Sequence, residues 1–362
     1  MNISELALAG TSIWLDDLSR AKITGTDAHS LPHRISNDGV VGVTTNPSIF
    51  SAAINGASEY AADIAAMKGQ GIDAVLRKLT TDDVRAACDL FADIYRQTSG
   101  ANGRVSIEVD PRLAHDMPAT VTEAKALFRT IDRPNVMIKV PATKAGLPAI
   151  TALIASGISV NVTLIFSIQR YAEVIDAFIT GIEERAAAGL SVKEVHSVAS
   201  FFISRIDAAV DAQLKVKNID SLLGKAAIAN AHLAYELFEI TSASDRWQVL
   251  ARQGANMQRP LWASTGVKDP AYDDTRYVLE LVAPHTVNTV PQATLDAVID
   301  HGVFQGNTIS GRYGQARADL AALAAAGVSL AQVTTDLEID GVKKFADAWT
   351  ALLENVGKAV KS

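Results

Sequence analysis

The chain has 362 residues, of which 48% are hydrophobic and 20% are charged, a composition typical of a globular protein with a large core. The net charge of −7 and the lack of a basic cluster argue against nucleic-acid binding. Only one cysteine occurs, Cys88, so a disulfide within the chain is excluded. The first residues do not resemble a secretion signal, and no run of about 18 apolar residues predicts a membrane span. We therefore expect a cytoplasmic protein without a membrane partner.

Short runs rich in β-branched residues recur along the chain, and a helical pattern follows most of them, as expected for βα units with a parallel sheet. The predicted strands are Ser12–Asp16, Val40–Thr44, Val105–Val109, Val136–Val140, Ile158–Val162, Val195–Ser200, Leu261–Ser264 and Thr286–Val290. Eight such runs predict one α/β domain over residues 1–362, a (β/α)8 or TIM barrel whose strands span about residues 12–290.

Helices beyond the basic barrel are also predicted. The intervals after Asn46 and after Arg205 are each long enough for a pair of helices, so we expect inserted helices there. Within the first interval, Thr81 followed by two aspartates predicts a helix N-cap. Apolar residues at helical spacing predict a C-terminal helical segment over about residues 314–358. We expect the last helix to pack on the barrel exterior or rim.

The segment Val136-Met-Ile-Lys-Val-Pro-Ala-Thr places a lysine inside a predicted strand. Alternation along the strand puts Val136 and Ile138 on one face and Lys139 on the other, which directs the amine into the barrel. Desolvation among apolar walls favours the neutral amine, which can attack a ketone to form a Schiff base. The alternative is a lysine that only extends from the strand end to water.

Polar residues also stand at the C-terminal ends of other predicted strands, where barrel enzymes build their active sites. Any one of them could be a hydrogen-bonding loop residue. Their recurrence on several strands is hard to explain by chance and favours an active site. They are Asp16, Asn46, Glu108, Asn161 and Thr163.

Two long motifs in the chain resemble the signatures of transaldolases. Gly42-Val-Thr-Thr-Asn-Pro-Ser-Ile-Phe is similar to the family's asparagine-containing signature, and Val136-Met-Ile-Lys-Val-Pro-Ala-Thr-Lys-Ala-Gly-Leu is similar to its Schiff-base lysine signature. The resemblance covers residues 14 to about 290 and is greatest to the longer subgroup found in some bacteria and in plants. Supporting matches are Trp14-Leu-Asp-Asp-Leu-Ser, Ser106-Ile-Glu-Val-Asp-Pro-Arg, Asn161-Val-Thr-Leu-Ile-Phe-Ser, Ser200-Phe-Phe-Ile-Ser-Arg-Ile-Asp and Trp262-Ala-Ser-Thr-Gly-Val-Lys.

The resemblance implies an enzyme of the non-oxidative pentose phosphate pathway that acts on sugar phosphates. Such an enzyme moves a dihydroxyacetone unit from sedoheptulose 7-phosphate to glyceraldehyde 3-phosphate, giving erythrose 4-phosphate and fructose 6-phosphate. By the same resemblance, Lys139 forms a Schiff base with the donor ketone. Asp16 takes the proton from the donor hydroxyl, and Glu108 acts through a water held with Thr163.

The donor sugar is expected to be oriented by hydrogen bonds. The resemblance implies that Asn46, Asn161 and Ser200 bind its hydroxyl groups. No cofactor and no metal are expected, because the chain lacks G-x-G-x-x-G, G-x-x-x-x-G-K-[ST] and H-E-x-x-H motifs and its seven histidines are scattered.

The substrate phosphate is expected at a second group of residues. The resemblance implies that Arg205, Ser264 and Lys268 bind it. Shorter transaldolases carry an arginine two positions after the matching serine, where this chain has Gly266. A solvated surface lysine is therefore the alternative for Lys268.

Two other functions compete with transaldolase. One is a fructose 6-phosphate aldolase of the same fold, which would release free dihydroxyacetone. The greater chain length and Phe202, near where such aldolases have a tyrosine, favour transfer, because phenylalanine cannot donate a proton to help water react. The other is a non-catalytic scaffold barrel, which is disfavoured because Lys139, Glu108, Asp16 and Asn46 are all present. A monomer and a homodimer both remain open.

Overall fold

A computed structural model describes residues 3–361, and its centre is a closed barrel of eight parallel strands in the order β1 to β8. Each strand overlaps one of the eight predicted strands, so the predicted (β/α)8 barrel is confirmed. The strands are β1 (Thr11–Leu15), β2 (Gly42–Val43), β3 (Arg104–Glu108), β4 (Val136–Pro141), β5 (Val160–Ile165), β6 (Ser197–Phe202), β7 (Arg259–Ala263) and β8 (Thr286–Val290).

Helices surround the barrel and fill both predicted insertions, with α4 to α7 after β2 and α11 to α13 after β6. The α-helices of the described residues are α1 (Ser4–Leu8), α2 (Arg20–Thr24), α3 (Leu31–Ser36), α4 (Pro47–Ile54), α5 (Ala61–Ala66), α6 (Ile72–Leu90), α7 (Ala92–Gln97), α8 (Met117–Ile131), α9 (Gly146–Ala155), α10 (Ile168–Ala187), α11 (Ser204–Val216), α12 (Ala226–Ser242), α13 (Asp245–Ala251), α14 (Arg276–Leu279), α15 (Gln292–His301), α16 (Tyr313–Ala325) and α17 (Leu330–Lys361). Short 3₁₀ helices lie at Ser58–Tyr60, Pro111–Leu113 and Asp220–Leu222.

The barrel closes where β1 pairs with β8. The pairing runs in parallel from Thr11↔Thr286 to Leu15↔Val290. Because side chains alternate between the two faces of a strand, the outward residues pack under the helices while the inward ones fill the barrel. The outward Ile107 and Ile138 are accordingly buried in the core.

The register of three neighbouring strands positions the predicted site. Glu108 of β3 pairs with Lys139 of β4, and Lys139 pairs with Asn161 of β5. Partners in adjacent parallel strands face the same side of the sheet. The carboxylate, the amine and the amide are therefore at one level of the barrel interior.

The predicted N-cap at Thr81 is wrong. Thr81 lies inside α6, where its side chain is buried and its hydroxyl donates to the carbonyl of Arg77 at 2.7 Å. The helix begins after Gly71 instead, so the two aspartates after Thr81 belong to the middle of a long helix. Threonine tolerates a helix interior when its hydroxyl bonds the carbonyl four residues earlier.

The long C-terminal helix α17 lies across the C-terminal mouth of the barrel, although the sequence predicted only an exterior or rim position for it. Gly341 packs on Leu164 and Phe166, and the ring of Phe345 faces the Lys139 amine. A residue in the last part of the chain therefore reaches the barrel centre. No single helix of the described residues combines the length and apolar character of a membrane span.

Gly42 in the short strand β2 lies against the indole of the fully buried Trp14. A Cβ at residue 42 would be 2.7 Å from three ring atoms. We expect Gly42→Ala to lower the free energy of unfolding by about 1–3 kcal/mol, because a packed ring has no room to move aside. Urea denaturation measures the change. Gly71→Ala is the control, since nothing lies within 4 Å of its Cβ, and equal losses in both variants would contradict the steric explanation.

Candidate active site

The amine of Lys139 is held inside the barrel near the C-terminal end of β4. The residue is 5% exposed, and its Nζ donates to the carbonyl of Thr45 at 3.1 Å. Glu108 Oε2 lies 3.8 Å from Nζ, and the centroid of the Phe345 ring lies 5.8 Å from it. The expected inward direction of the lysine is therefore correct, and its nitrogen has a carboxylate on one side and an aromatic ring on another.

Glu108 is buried without a hydrogen bond to either of its carboxylate oxygens from the described residues. Burial raises the pKa of Glu108 to about 7; the Lys139 ammonium opposes this shift and the nearby Asp16 adds to it. A carboxyl group with a pKa near neutrality can both donate and accept a proton under physiological conditions.

Thr163 of β5 also places an unpartnered polar atom in the barrel. Its hydroxyl is buried and has no hydrogen-bond partner among the described residues. The next residue, Leu164, has a left-handed φ of 62°, and the pairing of β5 with β6 shifts between Val162 and Ile165. Such bulges redirect neighbouring side chains and are frequent beside active sites. Buried polar atoms of this kind are normally satisfied by water or ligand.

Asp16 lies directly after β1 and is fixed by a chain of hydroxyl groups. Its Oδ1 accepts a hydrogen bond from Thr44 Oγ1 at 2.6 Å, and Thr44 Oγ1 lies 2.6 Å from Thr289 Oγ1. Burial raises the pKa of the Asp16 carboxyl, although Lys139 and Thr44 act in the opposite direction. The next carboxylate, Asp17, forms an ion pair with Lys22 at 3.1 Å and is not part of this chain of hydroxyl groups.

Asn161 joins three strands inside the barrel. Its Nδ2 donates to Ser106 Oγ of β3 at 3.1 Å, and its Oδ1 accepts from Ser200 Oγ of β6 at 2.7 Å. Asn46 caps α4, because its Oδ1 accepts from the backbone N–H of Ile49 at 3.1 Å. The Asn46 amide group therefore keeps its own N–H donors for a ligand.

Two of the three predicted phosphate-binding residues, Arg205 and Ser264, lie at the start of α11. Arg205 lies in the first turn, its Cζ is 5.4 Å from the centroid of the Phe202 ring, and its buried Nη1 has no partner among the described residues. Burial lowers the pKa of Arg205, and Asp340 of α17 opposes that shift. Ser264 has a left-handed φ of 56°, and its hydroxyl lies 3.1 Å from that of Ser204.

Lys268 is placed differently from the other predicted residues. It is the only exposed residue of the ten predicted for the site. It lines a cavity that reaches Ser204 but is also lined by the carboxylates of Asp207 and Asp211.

A side cavity reaches Glu108 and Asn46 from outside the barrel. Trp349 of α17 lines it, and the buried indole Nε1 of Trp349 has no partner among the described residues. The ion pair between Arg77 and Glu123, 2.7 Å apart, also lines this cavity. Glu108 therefore borders both the barrel interior and this side cavity.

Several residues that complete the site were not identified from the sequence. Four of them lie inside the recognised motifs, so their place there was a usable signal; these four are Thr44, Thr45, Ser106 and Ser204. Thr289 lies in a predicted strand outside those motifs. For Phe345 and Trp349 of α17, the sequence showed only the helical spacing of a buried face. That spacing does not indicate which part of the protein the face packs on. The missed residues are Thr44, Thr45, Ser106, Ser204, Thr289, Phe345 and Trp349.

Comparison with known protein families agrees with this geometry. The family model described as Transaldolase/Fructose-6-phosphate aldolase matches residues 13–356, nearly the whole chain. The chain belongs to this family. The resemblance found in the motifs is thereby confirmed, and the transaldolase-family match includes the strands that carry the site as well as α17 up to residue 356.

Curated relatives of the transaldolase family match the chain over its full extent. A protein named Transaldolase 1 from Streptomyces avermitilis is 56% identical over 99% of this chain and 96% of its own. A Transaldolase from Renibacterium salmoninarum is 54% identical over 100% and 97%. A Transaldolase from Mycobacterium tuberculosis strain H37Rv is 52% identical over 98% and 95%.

The substitution Glu108→Gln is expected to change how stability depends on pH. The ordinary pKa of 4.5 is raised in the fold to about 7, so the stabilising contribution of Glu108 is present below pH 4.5 and is lost as the pH rises through 7. Glutamine does not titrate. Between pH 5 and pH 8 the variant should therefore gain up to about 3 kcal/mol in free energy of unfolding relative to the parent.

Urea denaturation at the two pH values tests this expectation. Thr163→Val is the matched control, because it removes a neighbouring buried hydroxyl without removing a titrating group. The difference in free energy of unfolding between Thr163→Val and the parent should be the same at both pH values. A pH-independent difference for Glu108→Gln would show that the carboxyl pKa is not raised.

Proposed function

We propose that this chain is a transaldolase that transfers a dihydroxyacetone unit between sugar phosphates in the cytoplasm. The reaction takes the unit from sedoheptulose 7-phosphate to glyceraldehyde 3-phosphate and gives erythrose 4-phosphate and fructose 6-phosphate, and it runs in both directions. The name Transaldolase on relatives 52–56% identical over nearly the whole chain supports the reaction. The burial of the Lys139 amine near Glu108 and Phe345 is the observation that supports the mechanism.

The first step joins Lys139 to the donor. The neutral amine attacks the C2 carbonyl, and a proton moves to the oxygen to give a carbinolamine. Loss of water from the carbinolamine needs an acid, and Glu108, with its raised pKa and its position 3.8 Å from Nζ, supplies that proton through a bridging water held with Thr163. The product is a protonated imine on Lys139.

The second step breaks the carbon–carbon bond. Asp16 accepts the proton of the C4 hydroxyl, the C3–C4 electron pair moves toward the iminium, and an aldose phosphate leaves while an enamine stays on Lys139. The hydrogen bond from Thr44 fixes the direction of the Asp16 carboxylate. In the return direction the enamine attacks the acceptor aldehyde, Asp16 gives its proton to the forming hydroxyl, and water releases the product from the imine. The overall reaction is redox-neutral and needs no oxidant or reductant.

The three-carbon unit must be held still while the aldehydes exchange. Asn46, Asn161 and Ser200 bind its hydroxyl groups. The fixed orientation of Asn161, which bridges Ser106 and Ser200, supports this assignment because its amide does not have to reorganise when the sugar binds. Arg205, Ser264 and Lys268 bind the phosphate; the unpartnered Nη1 of Arg205 supports the first of these assignments.

Borohydride trapping tests the lysine assignment. After incubation with fructose 6-phosphate, we expect mass spectrometry to find a three-carbon adduct on Lys139, and addition of erythrose 4-phosphate should yield sedoheptulose 7-phosphate. Lys139→Met should form no adduct and lose at least roughly 10³-fold in rate, because no other amine can form the imine.

Lys144→Met is the control, since Lys144 lies in the same motif but is exposed. It should keep both the adduct and the transfer. An adduct on Lys139 that yields only free dihydroxyacetone would indicate a fructose 6-phosphate aldolase. The absence of an adduct on Lys139 would overturn the mechanism.

Substitutions at the phosphate-binding residues test a separate part of the proposal. We expect Arg205→Gln to raise KM for fructose 6-phosphate by roughly 10–100-fold, because a buried charged hydrogen bond is lost. The exposed Lys268 should matter less, and Lys268→Ala should raise KM for fructose 6-phosphate by about two- to fivefold. Steady-state kinetics with unphosphorylated fructose provide the control, because neither variant should change its KM. An unchanged KM for fructose 6-phosphate in Lys268→Ala would remove Lys268 from the site.

A further inference from the structure

The inner face of α17 carries a row of residues that follows the mouth of the barrel. Gly341, Phe345, Leu352 and Val356 are buried, and Trp349 is half-buried between them. Their spacing of three, four or seven residues places them on one side of the helix. In chain order, the first three residues of this strip lie at different parts of the site, and the last two continue the buried side of the helix.

The strip starts in close contact with β5. A Cβ at Gly341 would be 3.0 Å from Leu164 Cδ2 and 3.5 Å from Phe166. Leu164 is the residue with left-handed φ that follows Thr163. Glycine therefore allows the helix to approach the strand that carries Thr163, which fixes the height of α17 above the barrel.

One turn later the strip reaches the reacting nitrogen. Phe345 is 7% exposed, and its ring centroid lies 5.8 Å from Lys139 Nζ. An apolar ring at this position occupies space from which water would otherwise approach the nitrogen. The π face of the ring also attracts a cation, so it suits the protonated imine that forms at the same atom.

A further turn along, the strip meets the side cavity. Trp349 lines the cavity that contains Asn46 and Glu108. Leu352 and Val356 lie deeper among the packed helices and are fully buried. Phe345 is therefore the residue of the strip whose ring faces Lys139, while its neighbours hold the helix in place or border the cavity.

We propose that Phe345 is a positioning residue that makes the site transfer its three-carbon unit rather than release it to water. The inference rests on the proposed transaldolase function. Release requires that the enamine take up a proton at C3 and that water then add to C2 of the imine, which forms dihydroxyacetone and frees the Lys139 amine. The Phe345 ring limits the access of bulk water that would carry a proton to C3, so the enamine persists until an aldehyde arrives. The water held by Glu108 and Thr163 can still hydrolyse the product imine.

The partition between transfer and release measures this property. Fructose 6-phosphate and erythrose 4-phosphate are supplied together, and free dihydroxyacetone and sedoheptulose 7-phosphate are quantified in the same sample. We expect Phe345→Ala to raise the ratio of dihydroxyacetone to sedoheptulose 7-phosphate by roughly tenfold or more, because a tenfold change needs only a small difference between two barriers. Phe345→Leu, which keeps an apolar cover, should change the ratio by less than about threefold.

Leu352→Ala is the matched control on the same helix. Leu352 is fully buried, and its removal loosens the packing of α17 while the Phe345 ring stays in the chain. This variant should lose thermal stability but keep the parental ratio. If it raises the ratio as much as Phe345→Ala does, general closure by the helix and not Phe345 excludes water, and the proposal is overturned.

The proposal is also overturned if Phe345→Ala is folded and keeps the parental ratio. Should Phe345→Ala not fold, Phe345→Val takes its place, with a smaller increase expected. Failure of the underlying function is distinguishable, because the parent protein itself would then form no adduct on Lys139 or no sedoheptulose 7-phosphate.

Discussion

The ion pair between Lys139 and Glu108 is the interaction on which the rest of the site depends. Nζ and Oε2 are 3.8 Å apart, and both residues are buried. Transferring two charges out of water costs several kcal/mol for each ion, which their attraction only partly offsets. The raised pKa of Glu108 is the direct sign of this cost. A carboxyl group whose pKa lies near neutrality can both give up and accept a proton, which the proposed imine formation and hydrolysis require.

The barrel can hold this pair because its frame does not depend on it. Closure of β1 on β8 and the helices packed outside the strands bury a large apolar core. The inner layer is then fixed by side-chain hydrogen bonds such as Asn161 with Ser106 and Ser200. Strained backbone occurs at Leu164 and Ser264, at the ends of the strands that carry the site. Such conformations persist only where the surrounding structure enforces them.

Much of this arrangement could be predicted from the sequence. The strand pattern predicted all eight barrel strands, and simple alternation predicted the inward direction of Lys139, Glu108 and Asn161. Local sequence patterns were less reliable where tertiary packing determines where a helix begins or which side chains meet. Thr81 and its two aspartates have the composition of an N-cap, yet the helix continues through them because its apolar face is buried on both sides of that point. The hydrogen bond from Thr44 to Asp16 depends on which two strand ends meet, which no local pattern specifies.

The position of α17 over the site is the feature that could least be predicted from the sequence. Phe345 lies more than 200 residues from Lys139 in the chain, and its helical spacing predicts only that it is buried. Its position near the Lys139 amine follows from the close approach of Gly341 to Leu164 and the direction of the helix across the mouth. A barrel of eight βα units supplies the lysine and its carboxylates, but those units leave the top of the site open. Covering it requires an element outside the barrel repeat, and a single long helix meets the strand end, the amine and the side cavity at successive turns. In the proposed mechanism the lysine chemistry is therefore a property of the barrel, whereas the proposed exclusion of water is a property of the helix that follows it.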